Sequence, residues 1–130
     1  MQPTVKYKML DPRAKAPAYA TPGAAAADLC AVLAIELPDA NCVALLYARS
    51  GLAIKHGLTL PNCVGVIDSD YRGEVKVGLI NLSGEAYTIQ PGERVAQLCI
   101  APVWQAAFLP AETLSDTSRG AGGFGSTGKT

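Results

Sequence analysis

Apolar residues along this 130-residue chain fall in short runs broken by Gly, Pro, Asn and Asp, which is the pattern of strands rather than of long helices. Val5-Lys6-Tyr7-Lys8-Met9-Leu10 alternates apolar with charged positions, as a half-buried strand does, and Asp11-Pro12 stops it. A Pro- and Ala-rich loop follows as far as Gly23. The alanines at 24–27 could open a helix, but Pro22-Gly23 before them and the run Leu29-Cys30-Ala31-Val32-Leu33 after them predict a strand. Ala34-Ile35-Glu36-Leu37 reads as a further short strand, Pro38-Asp39-Ala40-Asn41 as a turn, and residues 42–47 as a third apolar run.

The best helix candidate is the stretch Arg49-Ser50-Gly51-Leu52-Ala53-Ile54-Lys55-His56-Gly57, with Ser50 suited to an N-cap and Gly57 to the position after the last turn. Beyond it the strand pattern returns at Leu58-Thr59-Leu60, at residues 63–67, at residues 75–80 with Val75, Val77 and Leu79 on one face, at Tyr87-Thr88-Ile89, and over residues 94–103. Residues 65–73 then form the tip of a hairpin between two of these strands. Short strands with Gly, Pro and Asn punctuation predict an all-β sandwich, jelly roll or barrel. The expected organisation is one β domain over residues 1–109 and a polar, then glycine-rich, arm over residues 110–130 that stays mobile until something orders it.

Charge narrows the partners. Eleven basic and eleven acidic residues cancel and are mixed along the chain, so neither a nucleic-acid footprint nor attraction to an anionic membrane is expected, and a small-molecule partner is. Cys30, Cys42, Cys63 and Cys99 stand singly, as reduced core thiols do. The first residues lack the apolar segment of a secretory signal, and no run approaches membrane-spanning length, so the expected location is cytoplasmic.

Candidate chemistry concentrates in Gly65-Val66-Ile67-Asp68-Ser69-Asp70-Tyr71-Arg72-Gly73, although Asp, Ser and Gly also make solvated turns for purely local reasons. The arm satisfies G-x-G-x-x-G at residues 120–125 and G-x-x-x-x-G-K-T at residues 123–130. Both patterns require a strand before and a helix after, which this stretch does not offer. What remains is that successive glycine amides, with Arg119, Ser126 and Thr127, can wrap phosphate oxygens, and that a base could stack on Phe124. His56 reads as a surface or interface residue, Glu93 as solvated, and Trp104 as core or subunit interface.

Five stretches in order resemble the five motifs of the trimeric deoxyuridine triphosphatase (dUTPase) family: Ala26-Ala27-Asp28-Leu29, Arg49-Ser50-Gly51, residues 62–73, Pro91-Gly92-Glu93-Arg94-Val95-Ala96-Gln97, and residues 119–128. The resemblance implies a distorted jelly-roll or β-clip barrel with one short helix and a flexible glycine-rich C-terminal arm. It implies hydrolysis of dUTP to dUMP and pyrophosphate, with Asp68 as the general base that activates water for attack on the α-phosphorus. Tyr71 would pack under the deoxyribose and Asn62 would read uracil. Arg49, Ser50, Gly51 and Gln97 would hold phosphates, and Arg119, Phe124, Gly125, Ser126 and Thr127 would close over the nucleotide from the arm. Asp28 and Asp70 would support the site, Asp28 through an arginine or an outer shell and Asp70 as a turn residue or as a carboxylate partner of Asp68. Mg2+ would ride on the triphosphate with waters rather than on a protein cage, and the active sites would be shared between subunits of a homotrimer.

The chain departs from the family at Ala26, where Gly is usual, and at Ala48, where Pro is common. More consequentially, Leu33 joins Ala34 directly where family members carry a further turn and strand, leaving the fold one strand short. A shortened variant with a rearranged sheet is one explanation, and residues missing from the sequence another. Two other functions share the fold: a nucleotide-binding or regulatory protein with weak catalysis, and an enzyme like dCTP deaminase. Against the latter, no catalytic Glu follows Arg49-Ser50.

Overall fold

The computed structural model describes residues 2–30, 33–38 and 41–123. Its elements in order are β1 (Lys6–Met9), β2 (Ala27–Leu29), β3 (Leu33–Glu36), β4 (Cys42–Ala48), α1 (Ser50–His56), β5 (Leu58–Thr59), β6 (Val64–Ile67), β7 (Ile80–Asn81) and β8 (Ala96–Pro102). A four-stranded sheet in the order β2-β8-β4-β6 is accompanied by the pairs β1-β3 and β5-β7, all antiparallel. The expected all-β fold with one short helix is present, but among the described residues these sheets do not close into a barrel. No described helix is long and apolar enough to cross a membrane.

Register separates the two faces of the main sheet. Leu46 lies opposite both Leu98 and Gly65, and Ala44 opposite both Ile100 and Ile67, so these side chains point together into the core. Leu29, Leu33, Ile35, Leu37, Leu60 and Val75 complete that core. Gly65 suits that place, since a Cβ on it would meet the Leu46 Cβ at 3.0 Å and Leu46 would have to shift to admit it. One residue along each strand, Asp28, Gln97, Tyr47 and Val64 form a row across all four strands on the other face.

Several expected strands take different bounds. The run at 29–33 is not one strand: β2 ends at Leu29, residues 31 and 32 lie outside those described, and β3 crosses the Leu33-Ala34 junction unbroken. β1 makes that possible by offering a ladder from Lys6 opposite Glu36 to Met9 opposite Leu33, with Lys6 and Glu36 bridged at 2.9 Å. Residues 75–79 keep the expected alternation, with Val75 buried and Val77 and Leu79 half-buried, yet make no ladder; the Val75 amide goes to the Leu33 carbonyl at 2.8 Å. Residues 87–89 are not a strand either. The expected hairpin around residues 65–73 is therefore absent, because β6 pairs with β4 and not with the segment that follows it. Burial alternation is local, whereas a ladder needs a partner in register.

The helix starts one position earlier than Ser50 as cap would give. Arg49 is the N-cap, in extended backbone with no side-chain cap, and Ser50 is the first helical residue. The Arg49 side chain is occupied elsewhere, as described below. Gly57 ends the helix as expected, at φ +67°.

Candidate active site

Asn62, Asp68 and Tyr71 line one open cavity of about 260 Å³ together with Gly65, Ile67 and Lys76. Asn62 is placed by a tight turn in which the Val64 amide donates to the Asn62 carbonyl at 2.6 Å. Between them Cys63 sits at φ +62°, the one positive φ on a non-glycine among the described residues. Such strain persists where the surroundings enforce it, and it concentrates at binding sites.

The loop after β6 is braced by its own residues. The Tyr71 amide donates to the Asp68 carbonyl at 3.2 Å, and the Arg72 guanidinium donates to the carbonyls of Ser69 and Tyr71 at 2.7 and 3.0 Å. The Tyr71 hydroxyl folds back to the Glu74 carbonyl at 3.1 Å, over Gly73, where a Cβ would lie only 2.3 Å from that hydroxyl. A side chain at Gly73 would therefore displace the Tyr71 ring from this position. The braced loop presents an exposed Asp68 carboxylate beside an accessible tyrosine ring. Asp70 is exposed and does not line the cavity, so it makes no carboxylate pair with Asp68 there.

A second cluster forms on the outer face of the main sheet. Asp28 is 5% exposed, the only buried charged residue among those described. Its Oδ1 accepts from Arg49 Nε at 3.0 Å and its Oδ2 from Arg94 Nη1 at 2.9 Å. Arg49 Nη1 also donates to the Arg94 carbonyl at 3.3 Å. Two guanidiniums on one carboxylate leave a net positive charge, and the Arg94 side chain is 52% exposed, so the pair can meet an anion. Gln97 lies opposite Asp28 in the ladder, and Ser50 and Gly51 are exposed at the start of α1.

These clusters do not share a cavity within one chain, since none of Arg49, Ser50, Arg94 or Gln97 lines the pocket of Asp68. Arg119 joins neither. Its Nε donates to the Gly122 carbonyl at 2.6 Å inside a small turn of the arm. Phe124, Gly125, Ser126 and Thr127 lie outside the described residues. The segment leading to the arm carries Trp104 and Phe108, each 92% exposed, so Trp104 is not core within this chain.

Arg94 was not singled out in the sequence, though it lies in the fourth motif-like stretch. A second cation able to reach one buried carboxylate is invisible until Asp28 on β2 and Arg94, two residues before β8, are seen side by side. Nor is Glu93 solvated: it is half-buried, its Oε1 accepting from the Tyr87 hydroxyl at 2.5 Å and its Oε2 from the Gln90 amide at 2.9 Å. Those two bonds, the Tyr87 one first, hold the Glu93 carboxyl below its ordinary range. The same bond raises the Tyr87 phenol above its own.

The family model described as dUTPase matches residues 12–128. The chain belongs to the dUTPase family. A deoxyuridine 5'-triphosphate nucleotidohydrolase of Desulfitobacterium hafniense is 47% identical over 142 residues, covering 95% of this chain and 94% of the relative. One of Wolinella succinogenes is 45% identical over 140 residues, covering 96% of this chain and 94% of the relative. Among solved structures, a Staphylococcus bacteriophage 80alpha dUTPase with dUPNHPP matches with a TM-score of 0.83 and 25% identity, covering 96% of this chain and 98% of that one. A mutant dUTPase from phage phi11 of S. aureus, described with a structural Mg(II) ion, matches in fold with a TM-score of 0.75 at 19% identity, covering 87% of this chain and 99% of that one.

This dUTPase-family chain is shorter than its relatives. As 95% of 130 residues is about 124, about 18 of the 142 positions compared with the Desulfitobacterium protein have no counterpart here. At Leu33 and Ala34, where the family resemblance implied a further segment, β3 runs across the junction and forms a ladder with β1.

Proposed function

We propose that this chain hydrolyses dUTP to dUMP and pyrophosphate, with Asp68 as the base that activates the attacking water. The observation that carries the reading is the meeting of Asn62, Asp68 and Tyr71 in one cavity. Asn62 pairs with uracil and the Tyr71 ring packs under the deoxyribose. A water held by the Asp68 carboxylate attacks the α-phosphorus, its proton passes to Asp68, and the bond to the bridging oxygen breaks to release pyrophosphate.

Arg49 and Arg94, with Ser50, Gly51 and Gln97, supply donors and charge for the phosphates. Because these residues lie outside the Asp68 cavity, the complete site combines the cavity of one chain with the guanidinium pair of another in a homotrimer. The exposed Trp104 and Phe108 support such an interface. Residues 110–130 form the arm that closes a site, with Arg119, Phe124, Gly125, Ser126 and Thr127 over the nucleotide.

Mg2+ supplies charge neutralisation on the triphosphate when bound. Both Asp28 oxygens are engaged by guanidiniums, and no group of three or more His, Cys, Asp or Glu among the described residues could hold an ion. The donors present fit a cation carried on phosphate oxygens and waters. Pyrophosphate release from dUTP, with and without Mg2+, tests the reading. Asp68→Asn should lower turnover by about 10²–10⁴-fold, and equal turnover by the two proteins refutes Asp68 as base. Ammonia release from dCTP without pyrophosphate release from dUTP would overturn the reaction itself.

A further inference from the structure

We infer that Glu93 is a positioning residue that aims the Arg94–Asp28–Arg49 cluster at substrate phosphates, and that Tyr87 and His56 buttress it. The inference rests on the proposed function only for the word substrate; the mechanical linkage is in the chain itself.

The contacts form a closed circuit. Helix α1 has Arg49 at its head and His56 at its last position. The His56 ring packs on that of Tyr87, with centroids 4.6 Å apart and planes at 48°. The Tyr87 hydroxyl donates to Glu93, the next residue is Arg94, and Arg94 returns through Asp28 to Arg49.

Glu93 joins this circuit through both of its carboxylate oxygens. The stretch from Gln90 to Glu93 is a turn with Gly92 at φ +78°, closed by the Glu93 amide donating to the Gln90 carbonyl at 3.0 Å. The Glu93 side chain bonds the Gln90 amide in return, so both directions of the turn are tied. On the far side of Arg94, the Val95 amide donates to the Leu29 carbonyl at 3.0 Å, which anchors the backbone to β2. Arg94 thus leaves a backbone fixed before and after it, while its own side chain is half in water. A long exposed cation samples many rotamers, and a fixed base is what keeps its guanidinium near one place. His56 and Arg49 are also near enough for their fields to favour the Glu93 carboxylate.

Without the Glu93 carboxylate the turn loses its side-chain bond to the Gln90 amide and the Tyr87 ring loses its tether. The guanidinium pair then remains chemically intact but is placed less consistently, and an interaction used equally in ground and transition state is weakened. The expected signature is a KM effect with little change in kcat.

The test uses the full chain with Glu93→Ala, Glu93→Gln and Tyr87→Phe. Glu93→Ala should raise KM for dUTP roughly five- to tenfold, with kcat held to within about twofold. Glu93→Gln, which keeps one acceptor, should fall between Glu93→Ala and wild type, and Tyr87→Phe should resemble it. Independently of turnover, the NMR resonance of the Arg49 Nε–H group, which bonds Asp28 directly, should shift in Glu93→Ala and return towards its wild-type position in Glu93→Gln. Wild-type KM together with an unmoved Arg49 resonance in Glu93→Ala overturns the inference, as does an equal fall in kcat for the Ala and Gln variants at constant KM. If Glu93→Ala does not fold, Tyr87→Phe decides by the same two readouts. If the wild-type protein does not turn over dUTP, the proposed function fails, while the Arg49 resonance still decides the linkage.

Discussion

Replacing Asp28 with Asn is the most direct probe of how the outer face of the main sheet is held. The substitution keeps the side chain's shape, removes its charge, and turns one acceptor into a donor that faces a guanidinium. Hydrogen bonds to charged groups contribute about 1.5–3 kcal/mol each, and the bond from Arg49 takes that full value, since its side chain is only 26% exposed. The bond from Arg94 is discounted to about 0.5–1 kcal/mol, because a half-exposed guanidinium rehydrates when released. The sum is about 3 kcal/mol, at the low end of what removing one partner of a buried ion pair costs.

At about 2.1 cal/mol/K per residue this corresponds to a fall in Tm of about 10 °C. With a urea m-value of about 2 kcal/mol/M the midpoint moves by about 1.5 M. Urea unfolding of both proteins at one protomer concentration measures it, because an oligomer's midpoint depends on concentration. A double-mutant cycle with Arg94→Met should return a coupling of about 0.5–1 kcal/mol. A midpoint shift below about 0.5 M would refute the reasoning: the carboxylate would then not anchor the two arginines, and the charge on this face would have to be balanced otherwise.

Two further outcomes follow from burial and from proton linkage. Leu33, at 1% exposure, lies where the chain passes directly into β3, and Leu33→Ala should cost about 3–4 kcal/mol by urea unfolding; a cost under about 1 kcal/mol would mean that this region is not packed as described. The Glu93 carboxyl is depressed below its ordinary value of 4.5, so its contribution to stability is fully present above that value and is lost as pH falls through the depressed one. The urea midpoint of wild type should therefore exceed that of Glu93→Gln at about pH 7, and the gap should narrow towards about pH 3; a gap that widens on acidification would contradict the two bonds to Glu93.

Residues close in sequence were legible as a unit. Asn62, Asp68 and Tyr71 lie within ten positions of one another, so a strand with a short loop was bound to keep them near, and they do line one cavity. Gly57 was readable as a helix end because a left-handed turn favours glycine wherever it occurs. The strand bounds were less legible. Residues 75–79 alternate in burial as a strand should, but a ladder depends on which segment lies alongside, and their alternation carries no information about that.

By itself, then, the sequence determined the β character, the short helix, the family and the local group around Asp68, all of which depend on periodicity, turn chemistry and motifs within a few residues. Only the tertiary structure decided that Asp28 gathers Arg49 from 21 positions away and Arg94 from 66, and that Glu93 is tied to Tyr87 and the Gln90 turn instead of standing in water. The physical reason is that strand register aims Asp28 and brings to it the chain just beyond β4 and just before β8, which carries Arg49 and Arg94. Pairing β2 with β8, and β8 with β4, sets Asp28, Gln97 and Tyr47 in one row facing away from the core, and a shift of one residue in either ladder would turn the carboxylate into the apolar interior.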